Sequence, residues 1–284
     1  MKEIIEAVFN SIINEDVIDI ELMVSSQNTV YKIVTSNSNY ILKKYNELKT
    51  DEELIIRKEQ LRISKIWNDN GINTILPITD IFKYEDHYYI IYPYIEGNVY
   101  DKLNLNQIKI LARLLAKMHK LEINTFLKNH TKLIDIFDKN IEYFIKENNK
   151  SFDESNTNLC VCHNDYKPLN ILWINDEPYL IDFDAVGKNN RTFSLVEAAY
   201  TFSYIDGKLD LDYFETFIKE YKDEYNDNIK NIESSIYGSW SGKLQWLNYL
   251  EENRKDDIGI YSLTKELFSF KEHEEEIREI LLKK

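Results

Sequence analysis

The stretch Cys160-Val-Cys-His-Asn-Asp-Tyr-Lys-Pro-Leu-Asn170, continued by Tyr179-Leu-Ile-Asp182-Phe-Asp184, decides how the chain is read. It reads as a short strand, a polar loop, a two-strand hairpin and an exit that carries aspartates. An apolar run leads into a loop holding His163, Asp165, Lys167 and Asn170, and a second run, Tyr179 to Ile181, ends on Asp182. Charged groups placed where strands stop point to chemistry, because loops on a rigid scaffold carry most catalytic residues. The only cysteines of the chain are Cys160 and Cys162. Two residues apart on a strand, they point to the same side and are poorly placed for a disulfide. With His163 they suggest a metal corner, but no other Cys–His cluster completes four ligands. They read as small buried residues instead.

Upstream of this stretch the pattern is first β-rich. Residues 2–13 have helical spacing and open the chain with a short amphipathic helix. The runs 18–24, 29–35 and 40–45 read as three strands, with a turn at 36–39. Residues 50–70 carry an apolar stripe at Leu54, Ile55, Leu61, Ile63, Ile66 and Trp67, which predicts a helix closed by Gly71. The runs 75–81 and 87–94 predict two more strands. After Glu96-Gly97 the texture turns helical, first at 108–121, a segment apolar around much of its circumference, and again at 131–147. The polar run 147–158 reads as a loop. Beyond the hairpin, helices are expected near 193–203, 210–224, 229–250 and 262–282. In the last part Trp246, Leu247 and Leu250 read as core. The expectation is an α+β chain: a small antiparallel β-rich lobe over 1–95 and a larger, mostly helical lobe over 96–284.

Composition narrows the function classes. The chain has 284 residues, 43% of them apolar, enough to bury a sizeable core. A net charge of −14 argues against nucleic acid, whose binding rests on basic patches. It suits a cationic small molecule, and equally a plain acidic surface. No apolar run approaches the roughly 20 residues that span a bilayer. The acidic start, Met1-Lys-Glu-Ile-Ile-Glu6, lacks a signal-peptide pattern, so a cytoplasmic protein is expected.

His163-x-Asp165-x-Lys167-Pro-x-Asn170, followed by Asp182-Phe183, resembles the catalytic core of the protein-kinase-like superfamily. The resemblance implies a two-lobed kinase-like fold and phosphoryl transfer from a nucleotide with Mg²⁺. It makes Asp165 the base that accepts the acceptor's hydroxyl proton, and Asn170 and Asp182 the Mg²⁺ ligands. Lys167 matches a lysine that touches the transferred phosphate, and His163 reads as a support for the loop. The chemistry is consistent with the residue types, since Mg²⁺ takes hard oxygen ligands and a base must reach the attacking hydroxyl.

The same resemblance asks for a lysine on the third strand and a glutamate on the following helix. Lys43 and Lys44 both qualify; the apolar pair before it favours Lys43, which shares a strand face with Ile41. Glu59, midway along the 50–70 helix, is the expected partner, with Glu52 and Glu53 as alternatives. Ile91-Tyr-Pro-Tyr-Ile-Glu-Gly97 resembles the hinge: Tyr92 takes the gatekeeper place, while the Pro93 carbonyl and Ile95 N–H would bind the base. A bulky Tyr92 keeps GTP beside ATP as the donor. The loop Val24-Ser-Ser-Gln-Asn-Thr-Val30 has no glycine; Ser25, Ser26 and Asn28 would serve the phosphates, unless it is a plain hairpin turn.

Several features point away from protein kinases. Asn164 stands where the Arg of His-Arg-Asp would be, and Asp184 where the Gly of Asp-Phe-Gly would be. The segment from Asp184 to the next helix is too short for a peptide-docking loop. Instead Ala112-Arg-Leu-Leu-Ala-Lys-Met-His119 and Ile181-Asp-Phe-Asp184 resemble the aminoglycoside phosphotransferase and choline kinase group. The implied function is transfer of a γ-phosphate to a hydroxyl of a small molecule, aminoglycoside-like, sugar or amino alcohol. Asp184 would add a metal contact, face the substrate or hold structure. The rivals are a protein Ser/Thr kinase and a non-catalytic nucleotide-binding module; the latter would lack Asp165, Asn170 or Asp182, and all three are present.

Overall fold

The computed structural model describes residues 2–25, 27–128, 141–154, 158–227, 229–254 and 257–283. The chain divides into two compact units. The first is Met1–Asn98 with Leu172–Asp184; the second is Val99–Ile171 with Ala185–Lys284.

The first unit is built on one antiparallel sheet. Its strands are β1 (Val17–Ser25), β2 (Asn28–Thr35), β3 (Asn39–Tyr45), β4 (Phe82–Tyr84) and β5 (His87–Pro93), in the order β1-β2-β3-β5-β4. Helix α1 (Lys2–Asn10) packs Ile5, Val8 and Phe9 against Ile20, Tyr31, Ile33, Leu42 and Ile91, so the period of the helix meets the alternation of the strands. Helix α2 (Asp51–Asp69) starts on a capping box in which the Thr50 side chain accepts from the Glu53 N–H and Glu53 reaches back to the Thr50 N–H. The chain passes through Gly71 with φ +80°, a conformation that favours glycine.

The strand expected at 75–81 is the clearest difference. This segment is irregular: the Ile75 N–H donates to the Leu180 carbonyl at 3.1 Å and the Ile78 N–H to the Ile91 carbonyl at 2.9 Å. Pro77 has no N–H to give a ladder, and the regular strand forms later, at β4.

A second hairpin, β7 (Ile171–Ile174) and β8 (Glu177–Leu180), turns through Asn175 and Asp176, both with positive φ, as a tight two-residue hairpin requires. It is stitched to the first unit by Asn98 and Trp173, which exchange backbone hydrogen bonds at 2.9 and 2.8 Å, and by the Leu180 N–H to the Asn73 carbonyl at 2.9 Å. Gly97 makes this close approach possible: a Cβ there would lie 2.8 Å from Leu172 Cγ and 2.9 Å from the Trp173 carbonyl.

The second unit is helical around the short pair β6 (Leu159–Cys162) and β9 (Gly187–Asn190). Its helices are α3 (Leu105–Lys120), α4 (Glu142–Glu154), α5 (Arg191–Ser203), α6 (Leu211–Tyr225), α7 (Ile232–Gly238), α8 (Ser241–Tyr249), α9 (Asp257–Glu272) and α10 (Glu274–Leu282). Most of α5 is buried, which explains its apolar circumference. The helix expected at 131–147 is described only from residue 141, and 131–140 lie outside the described residues. The loop expected at 147–158 is instead helical through Glu154, because its polar residues are used inside: Asn148 is buried and its Nδ2 donates to the Tyr237 carbonyl at 2.8 Å. The single helix expected over 229–250 is two, α7 and α8. Trp240 fills the core between Phe144 and Phe270, whereas Trp246 is partly exposed and stacks on Tyr249.

Candidate active site

In the first unit, strand alternation turns Lys43 and Tyr45 to one face of β3 and Leu42 to the other. Lys43 is buried, and its Nζ lies 3.0 Å from Asp182 Oδ1 and 2.7 Å from Asp184 Oδ2. Burial pulls the ammonium's pKa down, but Asp184 and Asp182 outweigh it and hold it well above its ordinary value. Burial also pushes up the phenols of Tyr45 and Tyr92, which stay neutral beside this charge cluster.

Asp184 is held from three sides. Its Oδ2 also accepts from Asn28 Nδ2 at 2.8 Å, and its Oδ1 lies 3.6 Å from Arg57 Nη1. Its backbone carbonyl accepts from Arg57 Nη1 at 2.5 Å and Gln60 Nε2 at 2.7 Å. Asp182 has φ +61°, unusual for a side chain other than glycine or asparagine, and its side chain is 44% exposed.

Helix α2 sends Arg57 and Gln60 to this cluster, two residues that the sequence did not single out. Glu59 sits on the same helix and makes a two-pronged ion pair with Arg62 at 2.7 Å. Glu53 serves the cap, where backbone N–H groups hold its carboxyl below the usual range. Of the turn residues, Asn28 meets Asp184; Ser25 ends β1 opposite Thr29, and Ser26 lies outside the described residues. In the hinge segment Tyr92 pairs with Ile41 and Pro93 with Tyr40; the Tyr94 N–H donates to the Asn39 carbonyl at 3.0 Å, and Ile95 follows in the connection, partly buried.

In the second unit, β6 delivers the chain into the loop of His163 to Asn170. His163 is buried, with Tyr166 as a ring neighbour. Asn164 adopts φ +60° and ties the loop down: its Nδ2 donates to the carbonyls of Ala185 at 3.0 Å and Gly187 at 3.2 Å, and its Oδ1 accepts from Asn189 Nδ2 at 3.0 Å. Asp165 Oδ1 lies 2.8 Å from Lys167 Nζ, and Asp165 Oδ2 accepts from Asn170 Nδ2 at 2.7 Å. Asn170 donates a second hydrogen bond to the Asp165 carbonyl at 2.8 Å, which leaves its amide oxygen as the atom suited to a cation. Asp165, Lys167 and Asn170 are thus one connected group.

Glu197 on α5 is a further neighbour of Asp165 that the sequence reading missed. Burial pushes its carboxyl up to about 8; Lys243 opposes the shift and Asp165 adds to it. A lone acid inside the apolar run from Phe193 to Phe202 was its signal.

Asp182 and Asp184 in the first unit, and the Asn170 amide oxygen in the second, are each hard oxygen donors of the kind Mg²⁺ takes.

A model of the phosphotransferase enzyme family matches residues 24–227, well over half of the chain. The chain belongs to that family. Among solved structures, the choline kinase LicA from Streptococcus pneumoniae aligns with a TM-score of 0.72 at 19% identity, over 96% of this chain and 99% of its own. A spectinomycin phosphotransferase, in complex with ADP and spectinomycin, aligns at 0.68 and 16% identity, over 99% and 97%. An amicoumacin kinase, in complex with AMP-PNP and Ca²⁺, aligns at 0.71 and 10% identity, over 94% and 92%. At these identities the likeness is one of fold. No curated protein matches the chain in sequence. The phosphotransferase has an antiparallel sheet lobe and a helical lobe, as its relatives' fold requires. No helix among its described residues is long and apolar enough to cross a membrane.

Proposed function

We propose that this phosphotransferase moves the γ-phosphoryl group of ATP or GTP onto a hydroxyl of a small-molecule acceptor (aminoglycoside-like, sugar or amino alcohol). The observation that carries the reading is Lys43 held between Asp182 and Asp184, residues 139 and 141 positions away in sequence. A buried lysine gripped by two carboxylates is set for exchange: it can turn to nucleotide phosphates when a cation engages the acids. Asp182, the more exposed of the two, and the Asn170 amide oxygen would hold Mg²⁺. Bound there, the ion supplies charge neutralisation for the phosphoryl oxygens. Asp184, already receiving Lys43 and Asn28, positions the lysine rather than the metal.

Asp165 takes the proton of the acceptor hydroxyl as its oxygen attacks the γ-phosphorus. The bond to the β,γ-bridging oxygen breaks, and the nucleoside diphosphate leaves. Lys167, paired with Asp165 at 2.8 Å, would turn to the transferred phosphoryl group and steady its charge. The hinge, Tyr92 to Ile95, would take the base, and Ser25 with Asn28 the phosphates. The partner is a small molecule rather than a peptide: only residues 185–190 separate Asp184 from α5, and 187–190 of them are strand β9. A net charge of −14 favours a cationic acceptor.

The test is a panel of small-molecule alcohols assayed for ADP and GDP release, run beside Asp165→Ala. An accepted substrate should be turned over about 10²–10⁴-fold more slowly by the variant, the usual worth of a positioned base. Nucleotide affinity should stay within about threefold. Release above background by Asp165→Ala at the native rate would refute the assignment.

A further inference from the structure

Outside the phosphoryl-transfer residues, the second unit holds a group that the reaction does not use. A ring nitrogen of His119, on α3, and the sulfurs of Cys160 and Cys162, on β6, lie within 4.8 Å of one another. The sulfurs are 3.4 Å apart. His119 and Cys162 are buried, and Cys160 is partly exposed, which leaves a way in from one side. The sequence pairs the cysteines with the adjacent His163; the fold supplies His119 instead, more than forty positions upstream.

We propose that His119, Cys160 and Cys162 form a binding site for a thiophilic divalent cation, zinc(II), distinct from the Mg²⁺ chemistry of phosphoryl transfer. The donor set is two thiols and one imidazole, with no carboxylate, and such soft ligands select zinc over magnesium. The size is right: two sulfurs each about 2.3 Å from a tetrahedral zinc stand roughly 3.8 Å apart, close to the spacing here. The imidazole is already oriented. His119 Nδ1 is hydrogen-bonded to the Tyr221 hydroxyl at 2.8 Å, an outer partner of the kind that fixes a metal-binding histidine. Its Nε2 is buried, on the side of the ring away from Tyr221, and offers a lone pair to a cation when Nδ1–H donates to the Tyr221 hydroxyl. Zinc entering the site turns two thiols into thiolates and releases two protons, and the ion with its two thiolates is neutral overall. Three protein ligands would leave a fourth position for water or another small ligand. The ion would tie α3 to β6, the strand that ends on Cys162, next to the loop of Asp165.

Cobalt(II) tests this without relying on activity. The whole reduced chain, titrated with Co²⁺, should develop a thiolate-to-cobalt charge-transfer band that saturates at one ion per chain and disappears when one equivalent of Zn²⁺ is added. Oxygen-only binding at Asp182 gives no such band. Cys160→Ser, at the partly exposed position, should melt close to the native temperature without metal, yet bind zinc at least about tenfold more weakly. Tyr221→Phe should weaken binding about 10–100-fold, as outer partners do. The proposal is overturned if the native chain gives no charge-transfer band, or if a Cys160→Ser/Cys162→Ser double variant binds zinc as tightly as the native chain.

Discussion

Replacing Lys43 with methionine keeps the stem of the side chain and removes its charge. The ammonium sits 2.7 Å from Asp184 and 3.0 Å from Asp182. At an effective dielectric of about 20, a contact near 3 Å carries roughly 5 kcal/mol of attraction, from which desolvation of the ammonium is subtracted. Breaking a buried pair by deleting one partner costs about 3–5 kcal/mol. The Asp182 side chain is 44% exposed and the Asp184 side chain 23%, so water screens the first contact more. Lys43→Met should therefore lose about 2–4 kcal/mol, mostly through Asp184. For a chain of this size that is a fall of roughly 5–12 °C in melting temperature. Double-mutant cycles in urea separate the two contacts: Lys43→Met with Asp184→Asn should couple by about 1.5 kcal/mol or more, and with Asp182→Asn by about half of that. The lysine's pKa is raised by folding, so its contribution is fully present below the unfolded value of about 10.4 and is lost only above it. The deficit of the variant should thus stay level from pH 7 to 9. A coupling to Asp184 under about 0.5 kcal/mol, or one smaller than that to Asp182, would refute this account of the cluster.

Other perturbations probe other parts. The Glu197 carboxyl, held up to about 8, binds a proton in the folded chain that the unfolded chain releases near 4.3. Native stability should fall between pH 5 and 8 by at most about 1.4 kcal/mol per unit; in Glu197→Gln that slope should flatten, as pH-resolved urea midpoints will reveal. A Cβ on Gly238 would lie 2.3 Å from the Phe193 ring, and the overpacking in Gly238→Ala should cost about 1–3 kcal/mol by urea denaturation. Asp182 holds φ +61°, which asparagine tolerates and alanine resists. Asp182→Ala should therefore be about 1 kcal/mol less stable than Asp182→Asn, and equal midpoints would argue against strain there.

Much of the fold was legible because the chain's periods agree with its packing. The alternation of 29–35 and 40–45 became β2 and β3, and it turns Lys43 and Lys44 to opposite faces of β3, with Lys43 buried and Lys44 partly exposed. Where the sequence misled, the residues were performing tasks that hydrophobicity does not record. The run 75–81 is apolar because Ile75 and Ile81 are buried, yet Pro77 keeps it out of the ladder. The run 147–154 is polar yet helical because Asn148 and Ser151 are buried and hydrogen-bonded inside the lobe.

The candidate site divides in the same way. The loop residues Asp165, Lys167 and Asn170 were legible as a group because only two to five positions of chain separate them, and a tight loop brings such neighbours together. The α2 residues were not, because charges surround that helix and its phase cannot be set from composition. The structure sets it: Gln60, Ile63, Ser64 and Trp67 form the buried stripe, and one turn earlier the stripe reaches Arg57. Glu59 lies about 100° around the helix from Gln60, on the flank that meets Arg62. Asp184 shows why roles are harder to read than positions. The sequence left it a metal contact, a substrate-facing group or a structural one; in the structure its Oδ2 receives Lys43 and Asn28, with Arg57 3.6 Å from Oδ1. Its neighbour but one, Asp182, is turned out by its left-handed backbone and keeps nearly half of its side chain in water. Two aspartates two residues apart, alike in sequence, thus differ in surroundings: both meet Lys43, but one is held from three sides and the other keeps more of its side chain in water, the difference on which the proposed division of roles rests.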